Sequence, residues 1–149
     1  MDFFGFLYKG NLNSYIDWSV YFYGAYEREY LILMQKLLVG HREAVFIDIG
    51  ANVGVHSLYL SRFCQQVHSF EPNSIVRSRL QEKVAMNNVK NIAIHSVGVG
   101  MKNEVLPFFA PKGGNQGTGS FISDYSDNNE TVGTPLELVQ GDARHIESP

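Results

Sequence analysis

An apolar run that passes directly into a glycine-rich turn constrains the fold of this chain more than any other feature. Ala44–Ile49 is rich in β-branched residues and shows no alternation of apolar and polar positions. That pattern is typical of a strand covered on both faces, as in a parallel sheet. The turn Gly50–Gly54 follows, and Val55–Phe63 then has the spacing of a helix, with Leu58 and Tyr59 inward. The sequence therefore predicts a strand, a tight turn and a helix in direct succession.

The alternation of strands and helices continues along the chain. Val67–Glu71 and Ile92–Val97 are predicted strands, and the helix between them begins near Ser74 and runs to about Asn87. This order predicts an α/β, Rossmann-like, doubly wound and mostly parallel sheet with right-handed crossovers. Short antiparallel strands are expected after residue 100. They are predicted at Glu104–Ala110, Gly119–Ser123 and Leu136–Gln140.

The N-terminal region has a different texture from the rest of the chain. Residues 1–40 are predicted to form an aromatic-rich cap and a helix, and residues 41–149 a partial ligand-binding core within one domain. The aromatic segment suits either a cap that packs on the core or a lid over a ligand. The predicted helix covers Ala25–Leu38 and ends before Gly40. Its apolar spacing is carried by Tyr26, Tyr30, Leu33 and Leu37.

Composition limits the class of partner. The net charge is −3 and the isoelectric point is near 5.9, so no basic field favours nucleic acid. No run approaches the roughly 18 apolar residues of a membrane span. The single cysteine, Cys64, excludes an intramolecular disulfide and fits a reducing compartment. We therefore expect a cytoplasmic protein with neither nucleic acid nor membrane as partner, and the five histidines show no metal-ligand spacing.

Two acidic residues mark the ends of neighbouring predicted strands. Asp48 precedes the glycine turn, and Glu71 ends the second strand. In an open parallel sheet, ligands bind outside the carboxyl ends of the strands, where small residues allow close approach to the backbone. A carboxylate at Glu71 can accept hydrogen bonds from both hydroxyls of a ribose. These features together predict a site for an adenosine-containing ligand.

The turn departs from the dinucleotide fingerprint G-x-G-x-x-G. Asn52 replaces the middle glycine of that motif, and Asp48 would repel a pyrophosphate. Both departures favour S-adenosylmethionine (SAM) over NAD or FAD, because the sulfonium and amino-acid tail of SAM carry no diphosphate. A nucleotide-dependent oxidoreductase is the alternative.

The motifs also resemble a known family. Val45–Gly54, with the sequence VFIDIGANVG, and Phe70–Asn73, with FEPN, resemble the FkbM family of SAM-dependent methyltransferases. Tyr23–Glu27 and Asn115–Phe121 resemble further segments of that family. The resemblance runs from about Tyr23 to Asp142. It implies a class I methyltransferase fold and methyl transfer, usually to a hydroxyl oxygen of a natural product or a sugar.

The same resemblance implies where SAM binds. The turn would line the methionine half of SAM, Glu71 would hold the ribose, and Val97 with Gly98 would contact adenine. A second alignment instead places Asp142 against the base. No catalytic base is assigned firmly; His56 is a candidate, and a solvated or capping histidine is the other interpretation. The implied cofactor-binding residues are Asp48, Gly50, Ala51, Asn52, Val53, Gly54, Glu71, Pro72, Asn73, Val97 and Gly98.

One part of the family pattern has no counterpart before Pro149. The family continues with a strand carrying I-K-I-D-x-E-G, which would lie beside Ala44–Ile49. Without it an apolar strand would form a sheet edge, which folded proteins avoid. Either Leu136–Gln140 fills that place, a second copy covers the edge in a homodimer, or the sequence is a fragment of a longer enzyme, which we favour. The alternative function is then a SAM-binding or interaction module without turnover.

Overall fold

The computed structural model describes residues 1–41, 43–109, 119–121 and 133–141. The predictions for Asn115–Thr118 and for Asp142 lie outside these residues. Within the described part of the chain, no helix is long and apolar enough to cross a membrane.

The N-terminal region is a hairpin followed by two helices. β1 (Asp2–Phe3) pairs antiparallel with β2 (Phe6–Leu7), and the sequence analysis predicted no strand here. α1 (Tyr15–Tyr23) ends at Gly24, which adopts a left-handed conformation that favours glycine. α2 (Arg28–Leu38) follows, so the predicted helix begins three residues later than expected.

The face of α2 that packs on the core is not the predicted one. Leu31 is completely buried, and Met34 and Leu38 pack against the same core. These three residues also recur at helical spacing, so periodicity alone cannot choose between the two faces. The contact of α2 with the next helix of the chain decides it. On the face that was predicted to be buried, Tyr30, Leu33 and Leu37 are exposed.

The central unit alternates strands and helices as predicted. It comprises β3 (Val45–Ile49), α3 (Val55–Leu60), β4 (Gln66–Phe70), α4 (Ser74–Met86) and β5 (Ile92–His95). The three strands are parallel, in the order β3-β4-β5. Crossovers between parallel strands are right-handed as a rule, so the order β3-β4-β5 is expected to place α3 and α4 on one face of this sheet. On one face of β3, Val45, Ile47 and Ile49 are exposed, so in the described part of the chain no helical layer covers these side chains.

The predicted inward faces of the two helices are buried, and a local signal accounts for the start of α4. Leu58 and Tyr59 of α3 are buried as predicted. α4 begins after Asn73, whose side-chain oxygen accepts a hydrogen bond from the Ile75 N–H. Leu80 of α4 is completely buried, on the predicted face.

A second sheet follows the central unit. It contains β6 (Gly98–Gly100), β7 (Glu104–Phe108) and β8 (Thr134–Gln140), in the order β6-β8-β7. β8 runs parallel to β6 and antiparallel to β7. The predicted third strand is therefore divided between two sheets, and Gly119–Ser123 contributes only an isolated bridge between Ser120 and Phe109 in the described residues.

The strand β3 forms an open edge of the central sheet. Its described pairing is with β4 alone, and Val45, Ile47 and Ile49 are 47%, 41% and 60% exposed. The prediction that this strand is covered on both faces is wrong for the described residues. β8 cannot fill the missing place, because it lies between β6 and β7. A second copy at this edge stays a prediction.

A buried polar cluster joins the N-terminal region to α4. The Tyr8 hydroxyl donates to Asp17 Oδ1 at 2.6 Å, and Lys83 Nζ lies 3.9 Å from the same oxygen. All three side chains are buried. The Asn87 side chain also bonds to both backbone groups of Leu7. These contacts therefore hold the hairpin and α1 against α4.

We expect Lys83 to make stability depend on pH. Burial lowers the pKa of Lys83 from 10.5 to about 8. Between those values the unfolded chain binds the proton that the folded chain has lost, so the free energy of unfolding gains a contribution that rises with pH. Urea denaturation from about pH 8 to pH 10 should show this rise for the wild type relative to Lys83→Met. Parallel curves for the two proteins would contradict it.

We also expect β3 to mediate self-association. An exposed apolar edge strand offers unpaired backbone groups to another chain, and a lysine on such an edge opposes pairing. Ile47→Lys should therefore lower the apparent mass in concentrated solution, measured by analytical ultracentrifugation. Leu33→Lys, which adds the same charge on an exposed face of α2, is the matched control. An equal decrease for both variants would rule out the edge as the interface.

Candidate functional site

The turn after β3 is built from residues with positive φ angles. Gly50 has φ 75°, Asn52 has φ 51° and Gly54 has φ 81°. Gly54 has a second constraint, since a Cβ there would lie 2.1 Å from Leu80 Cδ1 of α4. The N–H groups of Gly50 and Ala51 both donate to the Phe70 carbonyl at 3.0 Å. The turn is thereby fastened to the end of β4.

Glu71 links the turn to the segment that follows β4. Its Oε2 accepts the Asn52 N–H, and its Oε1 accepts the Asn73 N–H, both at 2.8 Å. The side chain is buried. Burial raises the pKa of the Glu71 carboxyl above its ordinary value, although the two N–H groups favour the charged form. Each carboxylate oxygen has a further lone pair, so Glu71 can still accept hydrogen bonds from a ligand.

A cavity of about 260 Å³, named here the Glu71 cavity, opens beside this carboxylate. The turn and the Glu71–Asn73 segment form one side of it. The second sheet forms the other side, with apolar side chains. Gly98 matters at this wall because a Cβ there would lie 2.4 Å from Leu138 Cδ2. The result is an apolar slot with one carboxylate at its polar end.

A second cavity of about 520 Å³, named here the His56 cavity, lies on the other side of the turn. It is formed by β3, α2 and the start of α3, and it includes Asp48 and His56. The two cavities share Ile49, Gly50 and Asn52, so the turn is their common wall. Neither lining contains a lysine or arginine among the described residues.

Two serine hydroxyl groups position the Asp48 carboxylate. Its Oδ2 accepts a hydrogen bond from the Ser57 hydroxyl, which lies 2.7 Å from the Ser69 hydroxyl oxygen. Burial raises the pKa of the Asp48 carboxyl, and the Ser57 hydrogen bond and the nearby His56 oppose that shift. Asp48 thus presents a fixed carboxylate to the His56 cavity.

The structure divides the implied cofactor-binding residues into three groups. Gly50, Asn52, Glu71, Pro72, Asn73 and Gly98 line the Glu71 cavity. Asp48 and Ala51 line the His56 cavity, together with Gly50 and Asn52. Val53, Gly54 and Val97 line neither cavity. Val53 is buried in the core, and Gly54 packs on Leu80.

Several lining residues had no signal in the sequence. The apolar wall of the Glu71 cavity comes from residues that a periodic pattern cannot distinguish from ordinary core positions. Pairing within the second sheet brings Val99, Phe108 and Leu138 to this wall, and Phe121 packs against Phe108. The central unit contributes Ile49 and Val76.

The described residues define an α/β protein with ligand-sized cavities at the carboxyl ends of parallel strands, the usual place for a ligand in such sheets. No protein-family profile matches the chain. No curated protein matches it either.

Some solved structures match part of the chain. Trm5b from Pyrococcus abyssi is 19% identical over 66% of this chain and 29% of its own, with a TM-score of 0.49. Methyltransferase FkbM from Methylobacillus flagellatus is 16% identical over 66% of this chain and 21% of its own, with a TM-score of 0.39. SMU.1697c from Streptococcus mutans, solved with SAH, is 23% identical over 38% of this chain and 32% of its own, with a TM-score of 0.37. The match spans about a third or less of each of these proteins.

We expect Gly54→Ala to destabilise the chain more than Gly24→Ala. Both glycines have left-handed φ angles, but a Cβ at Gly24 would meet no atom within 4 Å. The control should cost about 1–2 kcal/mol from backbone strain alone. Gly54→Ala adds the overlap with Leu80, which costs about 1–3 kcal/mol more. Equal free energies of unfolding in urea would show that α4 moves aside freely.

Proposed function

We propose that this chain is the SAM-binding core of a methyltransferase. The observation that carries the proposal is the buried carboxylate of Glu71, held by two backbone N–H groups at the polar end of an apolar slot. A buried carboxylate with free acceptor capacity suits a ligand that brings vicinal hydroxyl groups. Glu71 would hold the ribose of SAM in this arrangement.

The Glu71 cavity fits the adenosine half of SAM in shape and chemistry. Its walls are apolar, and they include Phe108 and Phe121, which suit a flat base. Gly50 and Gly98 present backbone without side chains to the slot. Pro72 and Asn73 complete the rim beside Glu71. We assign this cavity to the nucleoside.

The charge around the turn favours SAM over a dinucleotide. Asp48 and Glu27 line the His56 cavity, and Glu71 lies on the other side of the same turn. Three carboxylates disfavour a pyrophosphate and suit the sulfonium and ammonium groups of SAM. Because the cavities share the turn, one ligand can contact both. SAM supplies an activated methyl group when bound.

We further propose O-methylation of a hydroxyl group on a small natural product or a sugar, of the FkbM type. The support is the VFIDIGANVG and FEPN resemblance together with the position of the His56 cavity beside the turn. The open edge of β3 supports a second candidate, a SAM-binding module without turnover, because one wall of the His56 cavity is formed by that exposed strand. Release of labelled methyl groups from SAM separates the two candidates.

We expect Glu71→Gln to weaken binding of S-adenosylhomocysteine (SAH) by about tenfold or more, measured by calorimetry. The amide keeps the size of the side chain but removes one acceptor oxygen and the charge, and hydrogen bonds to charged groups contribute about 1.5–3 kcal/mol. Glu137→Gln on β8 is the matched control, since Glu137 is exposed and lines neither cavity.

Unchanged SAH affinity in the folded Glu71→Gln variant would contradict the ribose assignment. NADH tests the oxidoreductase alternative with the same protein. A ligand that binds only the native state raises the melting temperature. SAH should therefore raise it and NADH should not, and the reverse result would replace the proposal.

A further inference from the structure

The His56 cavity contains a histidine in contact with a carboxylate beside the shared turn. His56 Nε2 lies 3.3 Å from Glu27 Oε2. The Tyr26 ring packs edge-on against the imidazole, with ring centres 6.3 Å apart. The His56 side chain is 23% exposed, so it is shielded but still reachable from the cavity. These two contacts restrict rotation of the imidazole.

The pair joins the two elements that frame the cavity. His56 is the second residue of α3, directly after the turn. Glu27 precedes α2 and has a left-handed backbone, with φ 51°. Its side chain does not cap the helix that follows. The carboxylate is therefore directed to His56 instead of to the backbone of α2.

This contact determines which nitrogen of the imidazole is basic. A carboxylate next to Nε2 favours the tautomer in which Nε2 carries the proton. Nδ1 then keeps its lone pair and can accept a proton. The Glu27 carboxylate next to the ring stabilises the imidazolium that forms. The arrangement is that of a proton acceptor with a positioning carboxylate.

The remaining walls indicate which kind of molecule the cavity accepts. Apart from Asp48 and Asn52 at the turn, they are apolar or aromatic, and no lysine or arginine lies among the described ones. A flat ring packs well on the apolar walls, whereas a sugar would leave the hydroxyl groups that face them unpaired. Tyr30 is 61% exposed at the entrance. The apolar and aromatic walls include Ile16, Tyr26, Tyr30, Met34 and Phe46.

Building on the proposed function, we propose that the His56 cavity binds a small phenol as methyl acceptor, with His56 as proton acceptor and Glu27 as its positioning residue. The phenolic O–H bond breaks, and its proton passes to Nδ1 of His56. The oxygen electron pair forms the bond to the methyl carbon that SAM provides. The electron pair of the broken sulfur–carbon bond stays on sulfur, so the products are the aryl methyl ether and SAH.

The first test uses the ¹⁵N-labelled full chain with SAH and the nitrogen signals of the histidine side chains. Histidine signals are assigned with His56→Gln, and His41→Gln is the matched control at an exposed position outside the cavity. We expect the Nε2-protonated tautomer at His56. Catechol should shift the Nδ1 signal, whereas methyl β-D-glucopyranoside, the aliphatic probe, should not.

Substitutions at Glu27 and Glu29 show whether the effect depends on the contact between His56 and Glu27. Glu27→Gln should abolish the tautomer preference, while Glu29→Gln, also exposed but outside the His56 cavity, should retain it. Circular dichroism confirms that each variant is folded. An unchanged tautomer in Glu27→Gln, or no response of His56 to catechol, overturns the proposal. A response to the glucoside alone overturns the phenol assignment.

The second test separates proton acceptance from a structural role. 4-Nitrophenol ionises near neutral pH, so its methylation needs no base, whereas catechol keeps its protons. His56→Gln should lower methyl transfer to catechol by about 10²-fold or more and leave transfer to 4-nitrophenol within a few fold. Equal loss for both probes, or no transfer to catechol by the wild type, overturns the catalytic role.

Calorimetry with SAH on the same samples distinguishes this proposal from the proposed function. Failure of SAH to bind would refute the SAM core, and the catechol titration would still report on the cavity. Normal SAH binding without a catechol response would refute the acceptor site alone.

Discussion

The carboxylate of Glu71 accepts one hydrogen bond from the turn after β3 and one from the segment after β4. It therefore joins two neighbouring strand ends at the place where both cavities meet. Burying a carboxylate is costly unless it is hydrogen-bonded, so the two N–H groups are required for Glu71 to remain inside. Because Glu71 accepts the Asn52 N–H, it stabilises the turn with its positive φ angles. The same carboxylate forms the polar end of the Glu71 cavity. The proposed nucleoside site depends on this single bridge.

A second polar cluster acts at a distance from that bridge. Asp17, Tyr8 and Lys83 hold the N-terminal region on α4, and the completely buried Leu31 anchors α2 in the core. In the sequence, Glu27 lies between Asp17 and Leu31, directly before α2. Its contact with His56 therefore depends on packing far from the turn. The His56 cavity is formed by the N-terminal region as much as by the strand-turn-helix unit.

Much of the central unit was predictable because its signals are local. Asn73 caps α4, and the apolar run before Gly50 forms β3, within a residue of its predicted start. The divided third strand was not predictable, since Ile92–His95 and Gly98–Gly100 are both short and apolar and only pairing assigns them to different sheets. The predicted buried face of α2 was wrong for a similar reason, because two sets of apolar residues in this helix have helical spacing. Tertiary contacts chose between them.

The sequence by itself determined the chemistry at the strand ends, because Asp48, Gly50, Asn52 and Glu71 occupy positions that the chain order already brings together. Backbone constraints at a turn and the parallel pairing of successive strands act over a few residues, and sequence patterns record them directly. Only the tertiary structure decided the partners: the two N–H groups on Glu71, the apolar wall from β6 and β8, and the meeting of Glu27 with His56. Apart from the Asn73 N–H on Glu71, those contacts join residues far apart in the chain, and packing free energy, which no local pattern encodes, selects them.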